Sequence, residues 1–251
     1  MNLDDDLLAR LARNCAGAYV TPARAMDKPW RTWEDAWVVD FQMTVPVPPN
    51  GANLIRPLEA GGVADLVDRI DAFYAEREGG GIELWSIWPT PDLSDHRFED
   101  SSCPCMVREA GGEAPTRPSE LRIVEADDAA SLRDVERAAI EGFRIPGMGP
   151  GDLFDPRALA PEYRMWVGYV DGRPVSTACA YIAEGFVGVY AVATVPEARG
   201  RGYGEALSWA AALCRPDLPS TLQASEMGQP VYERMGYRTV TAFTVWERAQ
   251  R

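Results

Sequence analysis

The chain has 251 residues, 46% of them hydrophobic and 25% charged, with a net charge of −13. That composition can bury a core, and the length suits two modest domains or one large one. The acidic balance argues against nucleic acid and anionic membrane as partners, because both demand a basic face.

The first residues, Met1 to Asp6, are acidic rather than basic-then-apolar, so no signal peptide is expected. No apolar run approaches the roughly 20 residues that span a bilayer, and the cytoplasm is the expected compartment. Leu7, Leu8, Leu11, Ala12 and Cys15 fall at helical spacing behind the aspartates, which suit a helix N-terminus. Alternation from Trp37 to Val45 predicts a strand, and Pro46 to Gly51 a loop. Leu54-Ile55 predicts a short strand, Val63 to Tyr74 a second amphipathic helix, Ile82 to Trp88 a further strand, and Cys105 to Val107 a last one. Cys103-Pro104-Cys105 has no second cysteine pair and only His96 to join it, so no metal site is expected. The five cysteines are scattered and odd in number, unlike a secreted disulfide framework.

Gly111 to Pro118 reads as a linker, after which the pattern restarts. Leu121 to Val124 predicts a strand, Ala129 to Phe143 a helix, Ile145 to Pro150 a Gly/Pro-rich loop, and Asp152 to Leu159 a short helix. Trp166 to Val170 and Val175 to Ile182 flank Asp171-Gly172 as a hairpin. An apolar run from Phe186 to Val195 predicts a buried strand. It leads through Arg199-Gly200-Arg201-Gly202-Tyr203-Gly204 into a helix from Gly202 to Cys214. Then come a strand (Thr221 to Ala224), a short helix (Gln229 to Met235) and a final strand (Thr239 to Trp246).

A glycine loop between strand and helix can cradle a phosphate, because backbone N–H groups and the helix dipole converge where no Cβ intervenes. A dinucleotide fingerprint would need an early parallel strand and an acid about 20 residues on, and this loop offers neither. Arg199, Gly202 and Gly204 instead resemble the pyrophosphate loop of the GNAT superfamily of acetyl-CoA-dependent N-acyltransferases. Tyr232-Glu233-Arg234-Met235-Gly236-Tyr237 is similar to that family's acceptor-side motif. The resemblance covers residues 120–247. It implies an α/β GNAT fold, with a mostly antiparallel sheet whose central strands splay.

The resemblance further implies acetyl-CoA as co-substrate and no metal. Backbone of Val192, Ala193 and Thr194 would hold the pantetheine arm and the oxyanion. Backbone of Arg199, Gly200, Arg201, Gly202, Tyr203 and Gly204 would hold the pyrophosphate, with the Arg199 and Arg201 side chains adding charge. Tyr232 would be the acid for the thiolate. Glu184 and Glu226 are candidate bases that read equally as surface acids, and Tyr190 could line the acceptor pocket. The acceptor would be an amine of a small molecule or peptide. A homodimer is allowed. Residues 1–110 read as a faded copy of the same plan or as an accessory lobe, 111–119 as linker, and 120–251 as the catalytic domain. In the faded copy Leu93 would stand where Tyr232 does, and Glu59 would repel a pyrophosphate. A non-catalytic acyl-CoA sensor, or an enzyme for a longer acyl chain or a hydroxyl acceptor, are the rival readings.

Overall fold

A computed structural model describes residues 4–42, 50–76, 81–149 and 151–249. The first half holds α1 (Asp5–Ala25), β1 (Trp30–Thr32), β2 (Ala36–Val39), β3 (Gly51–Leu54), α2 (Val63–Phe73), β4 (Ile82–Ser86) and β5 (Glu99–Arg108). The second holds β6 (Arg122–Glu125), α3 (Ala129–Phe143), β7 (Tyr163–Val170), β8 (Arg173–Ala183), β9 (Phe186–Thr194), α4 (Tyr203–Ala212), β10 (Ser220–Gln223), α5 (Gln229–Arg234) and β11 (Arg238–Arg248). This is the expected α/β class with helices flanking mixed sheet. The end of the strand expected to reach Val45, Pro46 to Pro49 of the loop after it, and Pro150 of the later loop lie outside the described residues. So do Met1 to Leu3 of the acidic start. Where it is described, the first of these strands ends at Val39. The helix expected between Asp152 and Leu159 is a single turn, Pro156–Ala158.

The chain divides into two compact units, residues 1–105 with 239–251, and residues 106–238. This division differs from a cut between residues 110 and 120: the final strand is grouped with the first unit, and the expected linker falls inside the second. Strand pairing, which sequence periodicity does not encode, decides both.

In the first unit the strand order is β1-β2-β3-β4-β11-β5. Asp4 caps α1 by accepting from Leu7 N at 2.8 Å. Apolar Leu7, Leu11, Ala12 and Cys15 of α1 are buried. β1–β2 and β2–β3 pair antiparallel and β3–β4 pair parallel around α2. β11 runs antiparallel to β4, from Thr244 opposite Ser86 to Arg248 opposite Ile82.

In the second unit the order is β10-β9-β8-β7-β6. It repeats the pairing sense of the first: β7–β8 and β8–β9 antiparallel, β9–β10 parallel around α4. α3 starts on Asp128, whose carboxylate accepts from Ala130 N and Ser131 N while Ser131 closes the capping box. Asp171 and Gly172 both take positive φ, 50° and 78°, which gives the β7–β8 hairpin its tight turn. The apolar side of α4 packs with Val187, Val189, Ala178, Ala180 and Leu222 into one core cluster.

Candidate active site

The central strand β9 is interrupted. Cys179 of β8 stands opposite Tyr190 and Thr177 opposite Ala193, so Ala178 alone faces two residues, Ala191 and Val192. That is a β-bulge, and Ala191 at its centre has φ 49°. A left-handed alanine costs about 1–2 kcal/mol. The parallel pairing of β9 with β10 covers only Val187–Ser220 and Gly188–Thr221. Past that point Val192, Ala193 and Thr194 have β8 on one side and, among the described residues, no strand partner on the β10 side. β9 is therefore open along one edge over these three residues.

The loop that follows is rigidly placed. Val195 N donates to Val175 O at 2.9 Å, and Ser176 Oγ donates to Ala193 O at 2.8 Å. Gly200 and Gly202 take φ 75° and 78°, where a side chain would be strained. Gly202 is the N-cap of α4, no side chain caps it, and the helix ladder begins only at Ala206 N donating to Gly202 O. A Cβ on Gly204 would sit 3.0 Å from Thr194 Oγ1. The backbone of Arg199 to Gly204 therefore forms an open turn at a helix N-terminus, with the dipole behind it.

Two side chains of the loop are held by partners outside it. The Arg199 guanidinium turns inward, donating from Nε to Thr194 O at 3.1 Å and from Nη2 to Gly142 O at 2.7 Å. It ties the end of β9 to the end of α3 rather than simply adding charge. Tyr203 is buried and donates its hydroxyl to Glu120 at 2.8 Å, so it can offer only its backbone. That bond to Glu120 holds the phenol's pKa above its ordinary value. Arg201 is exposed.

α3 meets this strand through Gly142. A Cβ there would fall 2.8 Å from the Ala193 Cβ and 3.2 Å from Thr194 N. Gly142→Ala is therefore expected to destabilise the fold by about 1–3 kcal/mol and to push the bulged strand outward. A thermal melt reads the first effect, and an acetyl-CoA titration the second.

Tyr232 lies on α5, nine-tenths buried, with its ring edge-on to Tyr237 at 5.8 Å. Burial raises its pKa to about 12, against a lowering hydrogen bond to Ser208. Ser208 in turn donates to Gly204 O at 2.8 Å, so the phenol is linked to the first turn of α4. Glu184 sits in the hairpin turn before β9 with φ 58°, and Glu226 is exposed in the β10–α5 turn. Cys179 is fully buried, and burial holds its thiol at about 12, which leaves it protonated and inert.

Sequence reading missed Glu136. It is buried on the inner face of α3 and accepts N–H bonds from Gly151 (2.6 Å), Leu153 (2.6 Å) and Phe154 (3.1 Å). One carboxylate thereby shapes the loop between α3 and β7. The signal was present: Leu132, Val135, Glu136 and Ala139 share one helical face, and an acid on an apolar stripe needs partners.

A bulged strand that opens from its neighbour thus runs through a glycine loop into a helix N-terminus. Residues 161–239 match the family model for the acetyltransferase (GNAT) domain. That stretch, from the start of β7 to the start of β11, is thus similar to the GNAT acetyltransferase domain. No curated protein matches it in sequence. Among solved structures it is similar to a GCN5-related N-acetyltransferase from Kribbella flavida, at 17% identity and a TM-score of 0.67. That match covers 96% of this chain and 95% of the other. It is also similar to a GCN5-related N-acetyltransferase from Sphaerobacter thermophilus, at 14% identity, a TM-score of 0.59 and 97% and 93% coverage. A functionally unknown conserved protein from Staphylococcus epidermidis matches at 13% identity, a TM-score of 0.58 and 90% and 95% coverage. These likenesses are of fold. Among the described residues no helix is long and apolar enough to cross a membrane, and no group of His, Cys, Asp and Glu could hold a metal.

Proposed function

We propose that the protein transfers the acetyl group of acetyl-CoA to an amine by direct attack in a ternary complex. The observation that carries this reading is the left-handed bulge at Ala191 leading directly into the uncapped N-terminus of α4. The two features answer two demands of one ligand, a thioester arm that pairs with an open strand and a pyrophosphate that needs converging N–H groups.

In this reading the amine lone pair attacks the thioester carbon. The oxyanion is held by N–H groups of the bulged strand, the C–S bond breaks, and N-acetylated amine and CoA thiol leave. Tyr232 donates a hydrogen bond to the departing sulfur. A phenol at about 12 is a much weaker acid than a thiol of ordinary pKa near 8.5. Outright proton transfer from Tyr232 would run uphill. The sulfur's proton is therefore drawn from the nitrogen, which becomes positively charged once its lone pair has bonded to carbon, with Tyr232 as hydrogen-bonding bridge.

We further infer that the first unit is a copy of this plan without the cofactor site. Its counterpart strand β3 pairs with β2 from Gly51 to Leu54 without a shift, and none of its residues has positive φ. Gly62 at the start of α2 has φ −94°, not the left-handed turn of Gly202.

The test is a thermal melt with saturating acetyl-CoA. At about 100 times the dissociation constant it stabilises by about 2.7 kcal/mol, worth about 5–10 °C here. Tyr232→Phe is expected to cut turnover about 10–100-fold while leaving that shift in place. A variant with full turnover removes Tyr232 from the mechanism. A shift without turnover on any amine favours the sensor reading.

A further inference from the structure

The face of the second unit's sheet that turns away from the α4 cluster carries a row of tyrosines. Residues directly opposite in paired strands point to the same face. Tyr163 of β7 stands opposite Tyr181 of β8, and Tyr181 stands opposite Gly188 of β9. Gly188 pairs in turn with Thr221 of β10. One step along, Cys179 stands opposite Tyr190. Two residues beyond Thr221 on its strand is Gln223. Tyr163, Tyr181, Tyr190 and Gln223 thus share one face, whereas Val187, Val189, Ala178, Ala180 and Leu222 fill the other with α4.

Three features of this face suit it to a ring beside a carbonyl. Gly188, itself buried, puts no side chain between Tyr181 and Tyr190 on the strand that carries the bulge. The rings grade from deeply buried Tyr163, 6.1 Å centroid to centroid from Tyr181, to half-buried Tyr181 and Tyr190. The Gln223 Nε2 is buried and has no hydrogen-bond partner, at the point where β10 stops pairing with β9. A buried amide donor left unmatched is costly, and a bound carbonyl would satisfy it.

Resting on the transferase reading above, we propose that the acceptor is an amine bearing an aromatic ring and a neutral carbonyl. Its ring stacks along Tyr181 and Tyr190, its carbonyl accepts from Gln223 Nε2, and its nitrogen is thereby brought to the bulge from the face opposite α4. Bare aliphatic polyamines would leave both the rings and the amide unused.

The probes are L-phenylalaninamide, phenethylamine, n-butylamine and spermidine, read by release of free CoA from acetyl-CoA. We expect kcat/KM to fall about tenfold at each of the first two steps in that order, with spermidine no better than n-butylamine. Gln223→Leu should lower phenylalaninamide about tenfold more than it lowers phenethylamine, a split that a merely unfolded variant cannot give. Spermidine or n-butylamine turned over as well as phenylalaninamide overturns the proposal. So does a protein that shows the acetyl-CoA melt shift but acetylates none of the four. Absence of the melt shift itself is the separate failure of the donor reading, and removes the basis of this one.

Discussion

A chain cut to residues 120–251 is expected not to fold, although it contains the whole family resemblance. The second unit needs residues that precede the cut. Met106 is fully buried in its core, and its carbonyl accepts from Thr221 Oγ1 at 3.1 Å. Arg108 donates to Met235 O at 3.0 Å and to Gly111 O at 2.6 Å, and its guanidinium lies 4.5 Å over the Trp209 ring. Gly111 N donates to Pro216 O at 2.7 Å. The cut also strips β11 of β4, leaving Phe243, Val245 and Trp246 without the cover that buries them now. Each large apolar side chain so exposed forfeits about 1.5–3 kcal/mol, and the three together are comparable with the whole margin of an ordinary domain. Circular dichroism on the fragment should show no cooperative melt. A sharp transition near that of the full chain would mean the 106–118 segment and β11's partner are dispensable.

Replacing Glu83 by glutamine should stabilise the protein at alkaline pH by on the order of 3 kcal/mol. Glu83 lies on β4 directly opposite Glu247 of β11. Burial pushes its pKa from 4.5 up to about 7, the Trp85 Nε1 donor at 2.7 Å partly opposes this, and the Glu247 charge adds to it. A carboxyl whose folded pKa is raised binds its proton more tightly when folded. The penalty for ionising it is absent below about 4.5, grows between 4.5 and 7, and is complete above 7. Stability should therefore fall as pH rises through that window in the natural protein and stay flatter in Glu83→Gln, which can still accept from Trp85. At pH 8 the melts should differ by about 6–12 °C, and at pH 4.5 they should coincide. Equal melts at both pH values would place Glu83 in contact with water as an ordinary carboxylate.

The parts of this molecule that were legible in the sequence are those written locally. The α3 helix is bounded as its period and caps require, and β9, the glycine loop and α4 stand in the expected order. The bulge was implied only by resemblance, since Ala191 carries no glycine to announce a left-handed turn. β5 runs back to Glu99 through four exposed polar residues with no alternation to reveal them. Which strand β11 joins is set by pairing with residues far away in sequence, which no local pattern records. Arg199 was correctly found in the loop, but the direction its guanidinium takes depends on where α3 ends.

The pairing of Ile82 with Arg248 also fixes an order of events during synthesis. Domains commonly fold N-terminal first as the chain emerges. Here the second unit is one uninterrupted stretch, residues 106–238, and can close as soon as that stretch has left the ribosome. The first unit, though made earlier, waits with the edge of β4 unpaired until β11 appears. Its completion is a long-range closure of high contact order, the slow kind of step. The N-terminal half is thus the nascent segment most in need of protection, and β11 is the strand that ends the wait.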